Sequence, residues 1–172
     1  MDETFFAYLQ QLELMAFFSA YPLLFAVINV IVAQSKKAGV NKLSFLLPYS
    51  YALVGTLYLG LQIKNLYPDY SFENVSTSFY QPVLIIWALL SLLFFFPALA
   101  KKPLISLFHS FVFFFILLKD LFLQLFSSGA DKNILRNEMK VYTDSLLLNL
   151  GAFLSIVLLF FLFNRYKKRL NP

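Results

Sequence analysis

The sequence predicts an all-α protein, a polytopic bundle of about five transmembrane helices preceded by a short interfacial helix. Hydrophobic residues make up 60% of the 172 residues and charged residues only 13%. The apolar residues also gather in runs of about 20, the length that crosses a bilayer, with short polar loops between them. Globular proteins contain about 25% charged residues. We therefore expect one membrane-embedded domain over residues 1–172.

The N-terminal segment is the first element. Residues 1–13 are acidic and too polar to span, but Phe5 and Leu9 lie one helical turn apart, which favours an interfacial helix. The first span then covers about 14–34, close to the roughly 20 residues that a ~30 Å hydrocarbon core requires. Its least apolar face contains Asn29, which we expect to hydrogen-bond across a helix contact.

The next two spans carry fewer polar residues. The second is predicted over 43–63 and the third over 82–100. The third is almost uniformly apolar, so it is expected to face lipid or to pack through large apolar side chains alone. Lys101 and Lys102 follow it directly and predict a tight turn into the fourth span, which makes spans three and four a helical hairpin.

The fourth span, 103–126, is the most informative element. It is apolar enough to cross a bilayer, yet it contains five polar side chains that are candidates for packing or pore lining: Ser106, His109, Lys119, Asp120 and Gln124. An ionisable residue in hydrocarbon costs roughly 2.5–3.5 kcal/mol on insertion scales, so such residues usually face protein or water. His109, Asp120 and Gln124 share one helix face with Ser106 beside them. Lys119 lies elsewhere on the helix, which argues against its pairing with Asp120.

The fifth span, 145–163, offers partners for these groups. The candidates are Asp144, Asn149, Gly151 and Ser155. Gly151 and Ser155 have the small-xxx-small spacing that allows close helix packing. A basic tail over 164–172 follows and is expected on the cytoplasmic side.

Charge distribution predicts the orientation of the chain. The loops and tail on one side hold nine basic residues and no acid: Lys36, Lys37, Lys42, Lys101, Lys102, Arg165, Lys167, Lys168 and Arg169. The other side holds four, Lys64, Lys132, Arg136 and Lys140, together with most of the acids. Cytoplasmic loops are enriched in Lys and Arg. The sequence therefore predicts an external N-terminus and a cytoplasmic C-terminus, with a composition typical of a bacterial inner membrane.

The polar residues of span four have two interpretations. The first is a proton or ion path, because His109 titrates near neutral pH and Asp120 lies three turns along the same face. The second is structural, in which His109 hydrogen-bonds a neighbouring helix and Lys119 reaches the interface by snorkelling. Single polar residues commonly hold bundles together, so we favour the second.

Catalytic and cofactor sites are not expected. The chain has no Cys and one His, which is too few for a metal site, and no nucleophile elbow, P-loop or dinucleotide motif. The net charge of +5 is explained by short basic clusters beside apolar spans rather than by nucleic-acid binding. No catalytic residue, metal or cofactor is therefore assigned.

These features favour a non-enzymatic, multi-pass membrane protein that acts as an oligomerising or accessory subunit of a membrane complex. Its partners would be the lipid bilayer and either copies of itself or another integral membrane protein. The alternative is a small channel, or one protomer of a pore or carrier, with the polar stripe of the fourth span as its lining. A third class is a lipid-modifying membrane enzyme, for which the sequence contains no motif.

Overall fold

The structure is a computed structural model that describes residues 3–35, 41–67, 70, 80–126 and 132–170. Its elements are α1 (Glu3–Phe18), α2 (Tyr21–Gln34), α3 (Asn41–Asn65), α4 (Pro82–Leu89), a 3₁₀ segment (Leu90–Phe95), α5 (Pro97–Ala100), α6 (Pro103–Phe126) and α7 (Lys132–Leu170). Within these ranges, four stretches are long and apolar enough to cross a membrane: Phe5–Gln34, Lys42–Asn65, Pro103–Leu123 and Met139–Lys167. The prediction of an all-α helical membrane bundle is confirmed.

The first apolar stretch is divided differently from the prediction. α1 runs through the predicted boundary at residue 13, and the helix breaks between Phe18 and Tyr21. Pro22 explains the break, because its ring nitrogen has no hydrogen to donate to the carbonyl of Phe18. α2 then begins with this proline in its first turn. α1 and α2 still form one apolar stretch of 30 residues, Phe5–Gln34.

The predicted third span is not a single helix. It consists of α4, the 3₁₀ segment and the one-turn α5. Phe96 is extended, with φ −72° and ψ 126°, because the residue before a proline avoids the helical region. α4 and the 3₁₀ segment together measure roughly 24 Å, less than a ~30 Å hydrocarbon core. The count of five spans therefore stays a prediction.

The last two helices differ in how well their ends were predicted. α6 has the predicted bounds, Pro103–Phe126. α7 is much longer than the predicted span, with 39 residues and a length of about 58 Å. It begins within the predicted polar loop and continues to Leu170 through the predicted basic tail.

Aromatic side chains fill the centre of the bundle. The largest fully buried side chains include Tyr21, Tyr51, Tyr58, Phe18 and Phe113. Phe18, at the end of α1, stacks on Phe113 of α6 with ring centroids 4.9 Å apart. It also meets Tyr51 and Tyr58 of α3 edge-on at 5.6 and 5.5 Å. The α1–α2 break thus lies at the middle of the core.

Side-chain contacts give the direction of the helices. Ser106, near the start of α6, bonds Tyr21, while Asp120, near its end, bonds Gln11. α6 therefore runs antiparallel to α1 and α2. Only residues 127–131 separate α6 from α7, so α7 must run back in the direction of α2. The C-terminal end of α7 consequently lies at the end of the bundle where α2 finishes and α3 starts.

Candidate functional site

His109 lies in an aromatic cage formed by α3, α4 and the 3₁₀ segment. Its Nδ1 is 2.8 Å from the hydroxyl of Tyr51. The indole of Trp87 stacks on the imidazole, with centroids 4.8 Å apart and planes at 5°. Trp87 Nε1 also donates to the His109 carbonyl at 3.2 Å, and Phe94 meets the imidazole edge-on at 5.8 Å. The ring is therefore held on three sides.

Ser106 lies one turn before His109 and takes part in a second buried contact. Its Oγ is 2.8 Å from the hydroxyl of Tyr21 and donates to the carbonyl of Pro103 at 2.7 Å. The rings of Tyr21 and Tyr51 lie 4.4 Å apart, so the two contacts adjoin. This half of α6 is tied to both α2 and α3 by tyrosine hydroxyls.

The polar stripe of α6 is not continuous. Between His109 and Asp120 the same face carries Phe113, which is fully buried and stacked on Phe18. Leu117, one turn further, is also buried. The described side chains thus place an apolar plug between the two titratable groups.

Asp120 belongs to a separate network that joins α1 and α6 to the residues just before α4. Gln11 Nε2 donates to Asp120 Oδ2 at 2.5 Å. Gln81 Nε2 lies 3.4 Å from Gln11 Oε1 and 3.3 Å from the Ala7 carbonyl. Gln10 Oε1 accepts from the backbone N–H of Tyr80 and, at 3.3 Å, of Gln81. We call Gln10, Gln11, Gln81 and Asp120 the glutamine clamp.

Lys119 and Asp120 form an ion pair, which the sequence analysis did not predict. Lys119 Nζ lies 3.2 Å from Asp120 Oδ1. The lysine side chain is 63% exposed and the aspartate only 15%, so the flexible lysine bends towards a fixed carboxylate. The partner of Asp120 on another helix is Gln11 of α1 rather than a residue of the fifth span. Gln124 belongs to α6, but its side chain is outside the described part of the structure.

Ser145 and Asn149 of α7 face the α1–α2 break. Asn149 Nδ2 donates to the Phe17 carbonyl at 2.8 Å, and the backbone N–H of Ala20 donates to Ser145 Oγ at 3.1 Å. Backbone groups released by a proline in a membrane helix are commonly satisfied by side chains of a neighbouring helix. These two residues therefore stabilise the break that Pro22 creates.

Asn29 makes the corresponding contact between α2 and α3. Its Oδ1 accepts from the hydroxyl of Ser44 at 2.9 Å, and its Nδ2 donates to the carbonyl of Phe25 at 2.8 Å. The amide thus makes one hydrogen bond across the helix pair and one within α2.

The remaining predicted residues of α7 face outward. Asp144, Gly151 and Ser155 are exposed, on average roughly 120° around the helix from Ser145 and Asn149. A Cβ on Gly151 would have no heavy atom within 4 Å. Ser155 Oγ donates to the Gly151 carbonyl at 2.8 Å, so its hydroxyl is satisfied within the helix. The structure therefore does not bring these residues to the polar face of α6.

The described interior also contains polar atoms that have no hydrogen-bond partner. Buried polar atoms without a hydrogen-bond partner are Ser19 Oγ, Gln62 Nε2, Ser91 Oγ, His109 Nε2 and Asn149 Oδ1. They lie in five different places, namely the α1–α2 break, α3, the 3₁₀ segment, α6 and α7. No group of three metal-ligating side chains occurs in the described ranges. The polar side chains of α6 that the structure describes join this helix to α1, α2 and α3.

Several important residues were not identified from the sequence. Tyr21, Tyr51 and Trp87 hold the polar face of α6, and Gln11 and Gln81 bind at its far end. Gln10, Gln11 and Gln81 lie at the polar ends of apolar segments, where amides are expected anyway. Tyr21 and Tyr51 could have been identified as candidates, because each lies within a predicted apolar span and a buried tyrosine hydroxyl requires a hydrogen-bond partner.

In comparisons with known proteins, no family model matches this chain, and no curated protein or solved structure is significantly similar to it.

Proposed function

We propose that this protein is a non-enzymatic, multi-pass subunit of a membrane assembly and that the outward face of α7 around Gly151 binds a transmembrane helix. The observation that carries this proposal is the exposure of Gly151 and Ser155, which lie one turn apart on one face of α7. Both residues lie in the middle of the apolar stretch Met139–Lys167, away from the headgroups.

A glycine on a lipid-facing surface brings no packing benefit. It costs about 1 kcal/mol relative to alanine in a helix interior. At a helix contact it allows two backbones to approach closely, and Ser155 extends the small surface by one turn. Leu147, Leu154 and Leu158 are exposed beside these residues and would provide the rim of such a contact.

The assembly can be tested with two matched glycines. Gly60 of α3 is also exposed and would also have no atom within 4 Å of a Cβ. We would purify the chain gently and determine the mass of the intact complex for the wild type, Gly151→Ile and Gly60→Ile. Gly151→Ile should dissociate the complex, whereas Gly60→Ile should preserve it. A strictly monomeric wild type with no co-purifying protein would contradict the proposal.

The mass also distinguishes two kinds of partner. A homo-oligomer would mean that copies of this chain pack through α7. A stoichiometric complex with a different protein would make the chain an accessory subunit.

The proposed location is a bacterial cytoplasmic membrane with the N-terminus outside. This orientation is supported by the nine basic residues on one side of the predicted spans against four on the other. Because the chain contains no Cys, single cysteines can report it. A membrane-impermeant maleimide should label Lys64→Cys in intact cells and Lys102→Cys only after permeabilisation. The reverse pattern would invert the proposed orientation.

The channel alternative has less support. The described residues of one protomer separate His109 from Asp120 by Phe113 and Leu117. A conducting path would therefore have to form between protomers. No observation on the described residues supports such a path. We therefore do not propose conduction as the function of this chain.

A further inference from the structure

The C-terminal half of α7 carries two adjoining surface grooves. One has a volume of about 410 Å³ and is lined by Leu154, Val157, Leu158, Phe161, Leu162 and Arg165. The other has a volume of about 620 Å³ and shares Leu162 and Arg165, with Arg169 at its far end. The grooves are thus apolar along most of their length and end at two guanidinium groups.

The length of this surface matches one leaflet of a bilayer. From Leu154 to Arg165 the helix rises about 16 Å, and half of a ~30 Å hydrocarbon core is about 15 Å. Leu154 lies near the middle of the apolar stretch Met139–Lys167. Arg165 therefore lies at headgroup depth when Leu154 lies near the bilayer centre. Tyr166, exposed beside it, is typical of that level.

The exposed charged residues described below, at the C-terminal end of α7 and the start of α3, are all basic. Arg165, Lys167 and Arg169 are exposed. Lys42 at the start of α3 is exposed at the same end, and the neighbouring sequence segments 35–42 and 164–172 contain no acidic residue. Arg165 and Arg169 are four residues apart, so their side chains neighbour each other on one helix face. Such a pair is complementary to a phosphate group.

We propose that this surface is a binding site for an anionic phospholipid. The acyl chains would lie along Leu154, Leu158 and Leu162, and the headgroup phosphate would be held by Arg165 and Arg169. A phospholipid fits better than a soluble phosphate, because most of the groove is apolar and only its end is charged. The site adjoins the proposed helix contact at Gly151 and shares Leu154 and Leu158 with it, whereas Arg165 and Arg169 lie outside that contact.

Native mass spectrometry of the purified full chain can test the site. Phosphatidylglycerol and phosphatidylcholine with the same acyl chains would be titrated against the wild type, R165Q/R169Q and K101Q/K102Q. The last variant removes the same charge from exposed residues outside the grooves. Phosphatidylglycerol should bind the wild type and K101Q/K102Q more tightly than phosphatidylcholine. R165Q/R169Q should lose roughly 30-fold, since each basic residue near an anionic surface contributes about 1 kcal/mol, or about fivefold.

Other outcomes would overturn the proposal. Equal binding of both lipids to the wild type would exclude headgroup selectivity, and equal losses in the two double variants would indicate non-specific attraction. Displacement of the lipid by glycerol 3-phosphate would show that a soluble phosphate ester is the ligand. If R165Q/R169Q does not fold, R165Q alone should show about a fivefold loss. Unchanged binding to R165Q would then refute the site.

Discussion

The indole of Trp87 lies parallel to the imidazole of His109, with the two ring centroids 4.8 Å apart. Trp87 also donates to the carbonyl of His109, so α4 and α6 are joined by a stack and a hydrogen bond at one point. The hydroxyl of Tyr51 of α3 contacts Nδ1 of the same imidazole. His109 therefore connects three elements that are far apart in sequence.

Replacement of His109 by alanine should lower the free energy of unfolding by about 1–3 kcal/mol, because the stack is lost and the buried Tyr51 hydroxyl is left unpaired. A double-mutant cycle with Tyr51→Phe should give a coupling of about 0.6 kcal/mol, with ~1.7 kcal/mol as the upper end for membrane helices. Unfolding in detergent can be followed by the emission of Trp87, the only tryptophan of the chain. Additive single effects would show that the Tyr51–His109 contact contributes nothing.

Gly55 of α3 lies directly against Ser91 of the 3₁₀ segment. A Cβ there would overlap Ser91 Oγ and lie 3.2 Å from Ser91 Cβ. Gly55→Ala should destabilise the bundle by about 1–3 kcal/mol through overpacking. Gly60→Ala, five residues further along α3 in open space, should be neutral or stabilise by about 0.5–1 kcal/mol. Thermal unfolding in detergent would compare the two variants.

Ser91→Ala provides the control for this clash. The buried Ser91 hydroxyl has no hydrogen-bond partner, so its removal alone should cost little. Combined with Gly55→Ala, it should recover part of the lost stability, because the atom that meets the new methyl group is gone. No recovery would mean that the strain comes from the contact with Ser91 Cβ, which the substitution retains.

The helices could be predicted well where apolar runs end in strong signals. α6 begins at Pro103 and is followed by Ser127, Ser128 and Gly129, and its predicted bounds agree with the structure. The third span has the same kind of apolar run, but Pro97 interrupts it three residues before its end. Hydropathy reports whether a segment suits the membrane. It does not report whether the segment remains one helix.

Hydropathy also could not predict which face of α7 points into the bundle. α7 has two faces with small or polar residues, one with Ser145 and Asn149 and one with Gly151 and Ser155. In an apolar solvent both faces are compatible with lipid, so amphipathicity does not choose between them. The choice is made by the backbone groups released near Pro22, which only the three-dimensional arrangement reveals.

Asn149 should therefore be more important to stability than Ser155. Asn149→Ala removes the donor to the Phe17 carbonyl and should cost about 1–2 kcal/mol. Ser155→Ala removes only a bond to its own helix and should change the stability of the monomer by less than about 0.5 kcal/mol. Unfolding in detergent of each variant measures this order. Equal losses would contradict the role given to the α1–α2 break.

Asp120 should be more important than Lys119, although the two form an ion pair. Lys119→Ala should change stability by about 0–1 kcal/mol, because the lysine is 63% exposed and exposed pairs contribute little. Asp120→Ala also leaves Gln11 Nε2 without its acceptor and should cost about 1–3 kcal/mol. Gln11→Ala in the Asp120→Ala background should then have little further effect, which a double-mutant cycle would measure. A larger loss for Lys119→Ala would show that the ion pair, not the glutamine clamp, holds this end of α6.

Phe113 gives a prediction about conduction. Its buried ring separates His109 from Asp120, so the protein reconstituted in liposomes should show no proton or cation flux above that of protein-free vesicles. His109→Ala and Asp120→Asn should leave this background unchanged. A fluorescent pH indicator trapped in the vesicles would measure the flux, with a protonophore as the positive control. Flux in the wild type that either substitution abolishes would favour the channel alternative, because it would require a polar path around Phe113 between protomers.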